Sequence, residues 1–304
     1  MQRTFVIGTR SSALALWQSE WVAGRLRELY PEMQFALRHI TTRGDRIIDR
    51  PLPEIGGKGL FTAELEGQLR EGEIDLAVHS LKDLPTALPA DLIVCAIPQR
   101  ADPSDVLVSR HGLGLADLPA GATLGTSSKR RTAQLLAHRP DLNILPLRGN
   151  VDTRLRKAQA EPFDAIVLAH AGLTRLGHTD AITEAIPTAV MLPAPGQGAL
   201  AIECRADDAW MCTLLNPLHH AETTACVTAE RAFLAGLGGG CQVPVAAYAE
   251  KHNHTLRLSG LVAADDGREV IRVRHSATVE EAEALGLELA EQARHRGAEA
   301  LLAG

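Results

Sequence analysis

Apolar residues follow two spacings along the first two thirds of the chain. Short runs of consecutive apolar residues predict buried strands at 4–7, 34–41, 74–79, 92–97, 105–108, 123–125, 143–147, 164–169 and 199–203. Between these runs, apolar residues recur every three or four positions and predict helices at 60–70, 132–138 and 151–159, with an earlier one capped by Ser11 or Ser12. Because strands and helices alternate, we expect an α/β architecture with parallel sheets.

The pattern changes after about residue 218. One helix is predicted at 221–237 and ends in three glycines, and a long amphipathic helix is predicted at 279–298. Three strands are predicted between them, at 245–250, 255–264 and 269–276, with Asp-Asp-Gly as the turn between the last two. Antiparallel strands with flanking helices predict a small α+β domain here.

Composition and charge narrow the classes of function. The net charge is −6 and aromatic residues make up 3% of the chain, so we expect neither a nucleic-acid partner nor a membrane surface. The first residues lack the apolar segment of a secretory signal, so we expect a cytoplasmic protein.

The cysteines are odd in number and have no CxxC spacing, which argues against a disulfide framework and against a structural zinc site. Cys95, inside an apolar strand, is expected to be a buried free thiol. The five cysteines are Cys95, Cys204, Cys212, Cys226 and Cys241.

Several loops that follow predicted strands combine hydroxyl groups with cations. In residues 125–131, Gly-Thr-Ser-Ser leads into Lys-Arg-Arg at the start of a helix. Cations at a helix N-terminus oppose the helix dipole, and an anionic ligand would remove that conflict. A solvated basic turn is the alternative. Loops at 8–12, 147–154 and 171–176 repeat the pattern with less charge.

The arginines of these loops suit a ligand with several carboxylates. A guanidinium binds a carboxylate through two parallel hydrogen bonds, which lysine cannot do. Pairing with Asp or Glu of the protein is the alternative, and the sequence leaves both open. The arginines are Arg10, Arg130, Arg131, Arg148, Arg154 and Arg175.

Two further segments suggest chemistry. Lys82 and Asp83 follow a buried strand, where a carboxylate can transfer a proton or stabilise a cation, and a surface ion pair is the alternative. Cys241 follows three glycines, so a flexible loop presents a potential thiolate nucleophile. The alternative for Cys241 is a helix C-cap with a buried thiol.

Nine motifs in this order resemble those of the porphobilinogen deaminase, or hydroxymethylbilane synthase, family over essentially the whole chain. They are IGTRSSALALWQ (7–18), TTRGD (41–45), GGKGLFTAELE (56–66), DLAVHSLKDLPT (75–86), GTSSKRR (125–131), LRGNVDTRL (147–155), AGLTRL (171–176), LPAPGQGALAIE (192–203) and GGGCQVP (238–244).

The resemblance implies three domains. The first, 1–98 with 194–217, and the second, 99–193, are expected to resemble the bilobal periplasmic-binding-protein fold. The third, 218–304, is expected to be a small α+β domain that carries the cofactor cysteine.

The resemblance also implies a transferase of tetrapyrrole (haem) biosynthesis that is monomeric. Four porphobilinogen molecules are joined head-to-tail, with loss of ammonia, into the linear tetrapyrrole hydroxymethylbilane. The primer is a dipyrromethane cofactor held by a thioether to Cys241. No metal is implied.

The family pattern assigns catalysis to Asp83, which would stabilise cationic pyrroles. Lys58 is a weaker candidate for ligand binding. Lys129 stands where the family commonly has leucine, so we expect it to change the surface and not the activity; the alternative is that this extra cation changes binding of the growing chain. Binding of cofactor and substrate carboxylates is implied for Arg10, Ser12, Lys82, Thr126, Ser128, Arg130, Arg131, Arg148, Arg154 and Arg175.

Two alternatives belong to other functional classes. A non-catalytic solute-binding protein of similar bilobal fold would have no use for Cys241 or Asp83. A regulator's effector-binding domain would be joined to a DNA-reading module, and neither such a module nor a net positive charge is present.

Overall fold

The computed structural model describes residues 3–46, 62–239 and 243–303. Two compact units make up the chain: Met1–Arg100 with Ala199–Thr224, and Ala101–Gly198 with Ala225–Gly304. Lys58 and Cys241 lie outside the described residues. The division into three domains stays a prediction.

The strands, in chain order, are β1 (Thr4–Arg10), β2 (Gln34–Ile40), β3 (Leu76–Ser80), β4 (Leu92–Ala96), β5 (Asp105–Ser109), β6 (Thr123–Gly125), β7 (Asn143–Leu145), β8 (Ala165–Ala169), β9 (Glu184–Ile186), β10 (Leu200–Arg205), β11 (Val245–His252), β12 (Thr255–Ala263) and β13 (Val270–Thr278). The helices are α1 (Ala13–Leu29), α2 (Arg43–Arg46), α3 (Ala63–Arg70), α4 (Lys129–His138), α5 (Val151–Ala158), α6 (His170–Arg175), α7 (Ala209–Leu215), α8 (Ala221–Gly236), α9 (Ala282–His295) and α10 (Ala298–Ala303). Among the described helices, none is long and apolar enough to cross a bilayer.

The sheet of the first unit has the strand order β2-β1-β3-β10-β4. Strand β1 runs parallel to β2 and β3, as the apolar runs predict. The expectation of a parallel sheet is wrong for β10, which runs antiparallel to both β3 and β4. The reason is the position at which the chain returns to this sheet. Leu81 N–H donates to Ala199 O at 3.0 Å, so β10 starts beside the end of β3 and runs back along it.

The second unit contains two sheets. The first has the order β7-β6-β8-β5-β9, in which β6 is parallel to β7 and β8, whereas β5 is antiparallel to β8 and β9. The second is an antiparallel meander, β11-β12-β13, which confirms the three strands predicted after residue 218. Its core is built from Phe233 of α8, Leu289 of α9 and Leu258 of β12.

Local sequence signals fix several helix ends. Ser12 and Ser128 cap α1 and α4, with each hydroxyl oxygen accepting from a backbone N–H of the first turn at 3.4 Å. The long helix predicted at 279–298 is confirmed as α9, but it begins after a 3-10 turn at Val279–Glu281 and ends at His295, and Gly297, with a φ of 95°, separates it from α10. The short elements α2, α6, α7 and β9 were not predicted, since a few residues show no clear periodicity.

A buried ion cluster lies in the second unit, around Asp105 at the start of β5. The Asp105 carboxylate is fully buried and accepts from Nη1 of Arg130 at 2.7 Å and from Nη2 of Arg131 at 2.7 Å. Gln197 Nε2 donates to the same carboxylate at 2.9 Å. Burial by itself would raise the pKa of Asp105, but the two guanidiniums outweigh it and lower that pKa well below its usual range.

The cluster also joins distant backbone segments. Arg130 Nη1 donates to Leu192 O at 2.7 Å, and Arg131 Nη1 donates to Val167 O of β8 at 3.0 Å. Gln197 Nε2 donates to Pro103 O at 2.7 Å. The start of α4, two strands and the 192–197 segment therefore depend on one carboxylate.

We expect Asp105→Asn to lower the free energy of unfolding by about 3–5 kcal/mol, because two buried guanidiniums would lose their counter-charge. Urea unfolding followed by circular dichroism measures this. Asp141→Asn is the matched control: Asp141 also accepts from an arginine, Arg139, at 2.7 Å, but at the surface, and its loss should have a much smaller effect. Equal shifts of the two midpoints would contradict the structural role of the cluster.

Candidate active site

In the first unit, predicted site residues meet at the carboxyl edge of the sheet. Strand β1 ends at Arg10, and the neighbouring parallel strand β3 is followed by a 3-10 turn, Leu81–Asp83. Arg10 and Asp83 line one pocket together with His79 and Ser80. This edge is where open α/β sheets place ligands.

The alternative interpretation of Asp83, a surface ion pair with Lys82, does not fit the structure. The side chain is exposed at the pocket, and among the described residues no salt bridge joins it to Lys82. Its carboxylate is therefore available to a cationic or hydrogen-bonding ligand. Lys82, in the same turn, is half-buried.

A buried pair behind this pocket received no role from the sequence. His79 Nε2 lies 3.1 Å from Glu203 Oε2, and both side chains are buried. The second Glu203 oxygen, Oε1, has no hydrogen-bond partner among the described residues. The available signal was an ionisable residue within each of two apolar strands, LAVHS and LAIECR. The pair fixes the imidazole in the wall of the pocket.

In the second unit, three loops follow the carboxyl ends of adjacent parallel strands. Thr126 follows β6, Arg148 follows β7, and Arg175 ends α6 after β8. Ser127 joins the first two loops, because its Oγ donates to Leu147 O and accepts from Leu147 N–H, both at 3.0 Å. The structure thus brings these predicted residues to one edge of one sheet.

Thr126 and Ser128 have local partners in this loop. Thr126 is buried, and its Oγ1 accepts from Ser128 N–H at 3.2 Å. Both hydroxyl groups therefore shape the turn into α4. Their roles toward a ligand stay predictions, as does that of Ser12 at the start of α1.

Arg130 and Arg131 already hold a carboxylate of the protein. The sequence left open whether the loop arginines pair with a ligand or with Asp and Glu, and for these two the protein partner is Asp105. A guanidinium has five N–H groups, so one partner does not exhaust it. Binding of ligand carboxylates by Arg130 and Arg131 stays a prediction.

Burial removes water from the guanidinium groups of the remaining arginines at this edge, and a bound anion would offset the resulting loss of hydration free energy. Arg148 Nη1 is buried and has no hydrogen-bond partner in the described part of the chain. Burial lowers the pKa of Arg175 to about 10, and its Nη2 donates to Gly198 O at 2.7 Å. Arg154 Nε donates to Gly149 O at 2.7 Å. A ligand with carboxylates fits this set, because it would supply acceptors and compensating charge.

Lys129 has a partner in the protein. Its Nζ lies 2.6 Å from Asp265 Oδ2, in the turn between β12 and β13, and both side chains are exposed. The charge of Lys129 is therefore compensated at the surface. That it leaves activity unchanged stays a prediction.

Comparison with known proteins identifies the relatives of this chain. The family model described as "Porphobilinogen deaminase, dipyromethane cofactor binding domain" matches residues 5–213, and that described as "Porphobilinogen deaminase, C-terminal domain" matches residues 224–295. Among solved structures, the chain is similar to the substrate binding domain of a putative molybdenum ABC transporter from Clostridium difficile, with a TM-score of 0.47 and 10% identity, covering 71% of this chain and 92% of that one.

Curated relatives match along nearly the full length. A protein of Syntrophotalea carbinolica named porphobilinogen deaminase is 54% identical, covering 98% of this chain and 94% of its own. One of the same name from Roseiflexus sp. strain RS-1 is 52% identical over 304 residues, which is 100% of both chains. Both family models and both relatives agree, and the chain belongs to the porphobilinogen deaminase family.

Proposed function

We propose that this protein is a porphobilinogen deaminase, a transferase of tetrapyrrole (haem) biosynthesis. It joins four porphobilinogen molecules head-to-tail, with loss of ammonia, into hydroxymethylbilane on a covalent dipyrromethane primer. The observation that carries the proposal is the match of both family models, across residues 5–213 and 224–295. By analogy with the family, we place the protein in the cytoplasm as a monomer, which cell fractionation and size-exclusion chromatography test.

The loops of the second unit supply carboxylate binding in this proposal. Each porphobilinogen carries an acetate and a propionate, so a growing chain presents many carboxylates. Arg148 and Arg175 are the best supported of the second-unit arginines, because a buried unpartnered Nη1 and a desolvated guanidinium both gain from an anion. Arg154 and the N–H groups of Arg130 and Arg131 not bonded to Asp105 complete the set. Arg10 and Lys82 have this role in the first unit.

The dipyrromethane, when bound, supplies the pyrrole carbon to which substrate is added. We assign its attachment to the Cys241 thiol. Helix α8 ends at Gly236, and Gly238 has a φ of 64°, a conformation that favours glycine. After the helix, the backbone therefore adopts a conformation that would be strained for any residue with a side chain. This position lies a few residues before the cysteine.

Asp83 is the catalytic residue of this proposal. Loss of ammonia from the substrate would leave an electron-poor pyrrole that carries positive charge. A carboxylate at Asp83 that accepts a hydrogen bond from a pyrrole N–H would stabilise positive charge on the pyrroles during the addition. Among the described residues, no salt bridge engages Asp83, and its side chain is exposed at the pocket, which supports this role.

The attachment site has a direct test in the intact mass of the purified protein. We expect a mass above that of the sequence by one dipyrromethane, and peptide mapping should place the addition on Cys241. Cys241→Ala should lack both the addition and activity, whereas Cys226→Ala, which changes a buried cysteine of α8, should keep both. Active protein with an unmodified Cys241 would rule out the assignment.

Carboxylate binding is tested best at Arg148. We expect Arg148→Leu to weaken binding of substrate or cofactor by about 1.5–3 kcal/mol, the usual contribution of hydrogen bonds to charged groups. Steady-state kinetics and the fraction of protein carrying cofactor measure this, with circular dichroism as the check on folding. Arg131→Leu is a poorer probe, because it would also break the Asp105 cluster.

Arg156→Leu is the matched control for Arg148→Leu. Arg156 is exposed on α5, and its Nη2 donates only to Thr153 Oγ1, at 3.3 Å, among the described contacts. Normal kinetics are expected for Arg156→Leu. The same kinetics for Arg148→Leu would show that the loop arginine does not bind the ligand.

Catalysis by Asp83 is distinguished from binding by single-turnover addition of porphobilinogen to assembled enzyme. We expect Asp83→Asn to slow carbon–carbon bond formation by a factor of about 10²–10³, with substrate affinity largely kept, because the lost interaction is made mainly in the transition state. Asp83→Glu should be faster than Asp83→Asn, since it keeps the charge. Elongation by Asp83→Asn within a few-fold of wild type would refute the role.

A further inference from the structure

Three cysteines converge in the first unit: Cys95 on β4, Cys204 on β10 and Cys212 on α7. Their sulfur atoms all lie within 4.8 Å of one another. The expectation that Cys95 is a buried free thiol is therefore wrong, since Cys95 is half-buried and lies beside two other cysteines. Sequence spacing did not reveal the cluster, because β10 reaches the sheet only after about a hundred intervening residues and α7 then packs beside β4.

The backbone geometry suits a disulfide from Cys95 to either neighbour. The Cα–Cα distance is 5.0 Å between Cys95 and Cys212 and 6.6 Å between Cys95 and Cys204. Both fall within the range of about 4.4–6.8 Å that disulfides span. Because one sulfur forms one disulfide at a time, the two pairings are alternatives. The Sγ atoms of Cys204 and Cys212 are 3.7 Å apart.

Access and environment distinguish the three thiols. Cys204 is fully buried, whereas Cys95 and Cys212 are half-buried. All three belong to or pack against an apolar cluster that includes Met211 and Leu214. A small oxidant can therefore reach Cys95 and Cys212 first, and the neutral product remains compatible with the apolar surroundings.

We propose that these cysteines are a reversible oxidation site, in which Cys95 and Cys212 form an intramolecular disulfide. The oxidant is a low-molecular-weight disulfide of the glutathione class. Cys95 as thiolate attacks it and releases one small thiol, and Cys212 then attacks the mixed disulfide at Cys95 and releases the second. Two protein thiols are oxidised, one small disulfide is reduced, and the two thiol protons pass to the two leaving thiolates.

Cys204 is the internal exchange partner in this site. Its thiolate attacks Cys95 of the Cys95–Cys212 disulfide, forms Cys95–Cys204 and releases the Cys212 thiolate, which takes up the proton. Oxidation level and atom count stay constant. The exchange moves a free thiol from the buried Cys204 to the half-buried Cys212, where a reductant can reach it.

The alternative to a disulfide is a soft metal ion bound by the three cysteines. The surroundings of the cysteines favour the metal ion less than the disulfide. Three thiolates around Zn²⁺ carry a net negative charge, and the described residues offer no fourth ligand in this group. The nearest charged side chain along the strand, Arg205, is already engaged with Asp208 at 3.2 Å and lies 3.9 Å from Asp75. A disulfide has no such uncompensated charge.

The test uses the full-length protein with its cofactor, first reduced and then equilibrated with mixtures of reduced and oxidised glutathione. Intact mass should fall by two hydrogen atoms, and non-reducing peptide mapping should join Cys95 to Cys212, with Cys95–Cys204 as the minor product. The oxidised protein should unfold several degrees higher, since the link closes a loop of 117 residues. Reduction should reverse both changes.

Variants separate the site from general thiol chemistry. Cys95→Ser should abolish the internal disulfide, Cys212→Ser should leave only the Cys95–Cys204 link, and Cys226→Ser should behave as wild type. Mapping of the wild-type protein stands by itself if a variant does not fold. Glutathione adducts alone, unchanged thiols under oxidising mixtures, or one equivalent of Zn²⁺ bound through these cysteines would overturn the proposal.

Discussion

The buried negative charge of Asp105 joins several segments of the second unit. The Asp105 carboxylate receives two guanidiniums and the amide of Gln197, and these partners in turn bond to backbone oxygens of β8 and of residues 192–197. A buried charge is tolerated only when it is fully paired, so each member requires the others. The arginines are thereby held at the start of α4, beside the loops that carry the other predicted ligand-binding groups.

This arrangement clarifies the conflict seen in the sequence. Cations at the start of α4 oppose the helix dipole, and we interpreted them as evidence for an anion. An anion is present, but Asp105 of the protein supplies it. The local sequence shows only the unfavourable cations, since their partner lies 25 residues away from Arg130.

Much of the remaining fold was predictable because it depends on local patterns. Buried runs located most strands, a capping residue located the start of α1, and loops after parallel strands marked the candidate site. What depends on long-range connection was not predictable: the reversed direction of β10, the pairing of His79 with Glu203, and the meeting of Cys95 with Cys212. Each of these joins residues more than a hundred positions apart.

The position of β10 has a consequence for synthesis on the ribosome. Among the described strands, β4 pairs with β10 alone, and β10 lies between β3 and β4. During translation, about a hundred residues are therefore added after β4 before β10, the strand that pairs with both β3 and β4, is synthesised. The intervening segment can already fold in that time. During that interval the unpaired edges of β3 and β4 are exposed to other chains. Because of this strand order, we expect the edges of β3 and β4 to need protection during translation, either by a chaperone or by rapid elongation.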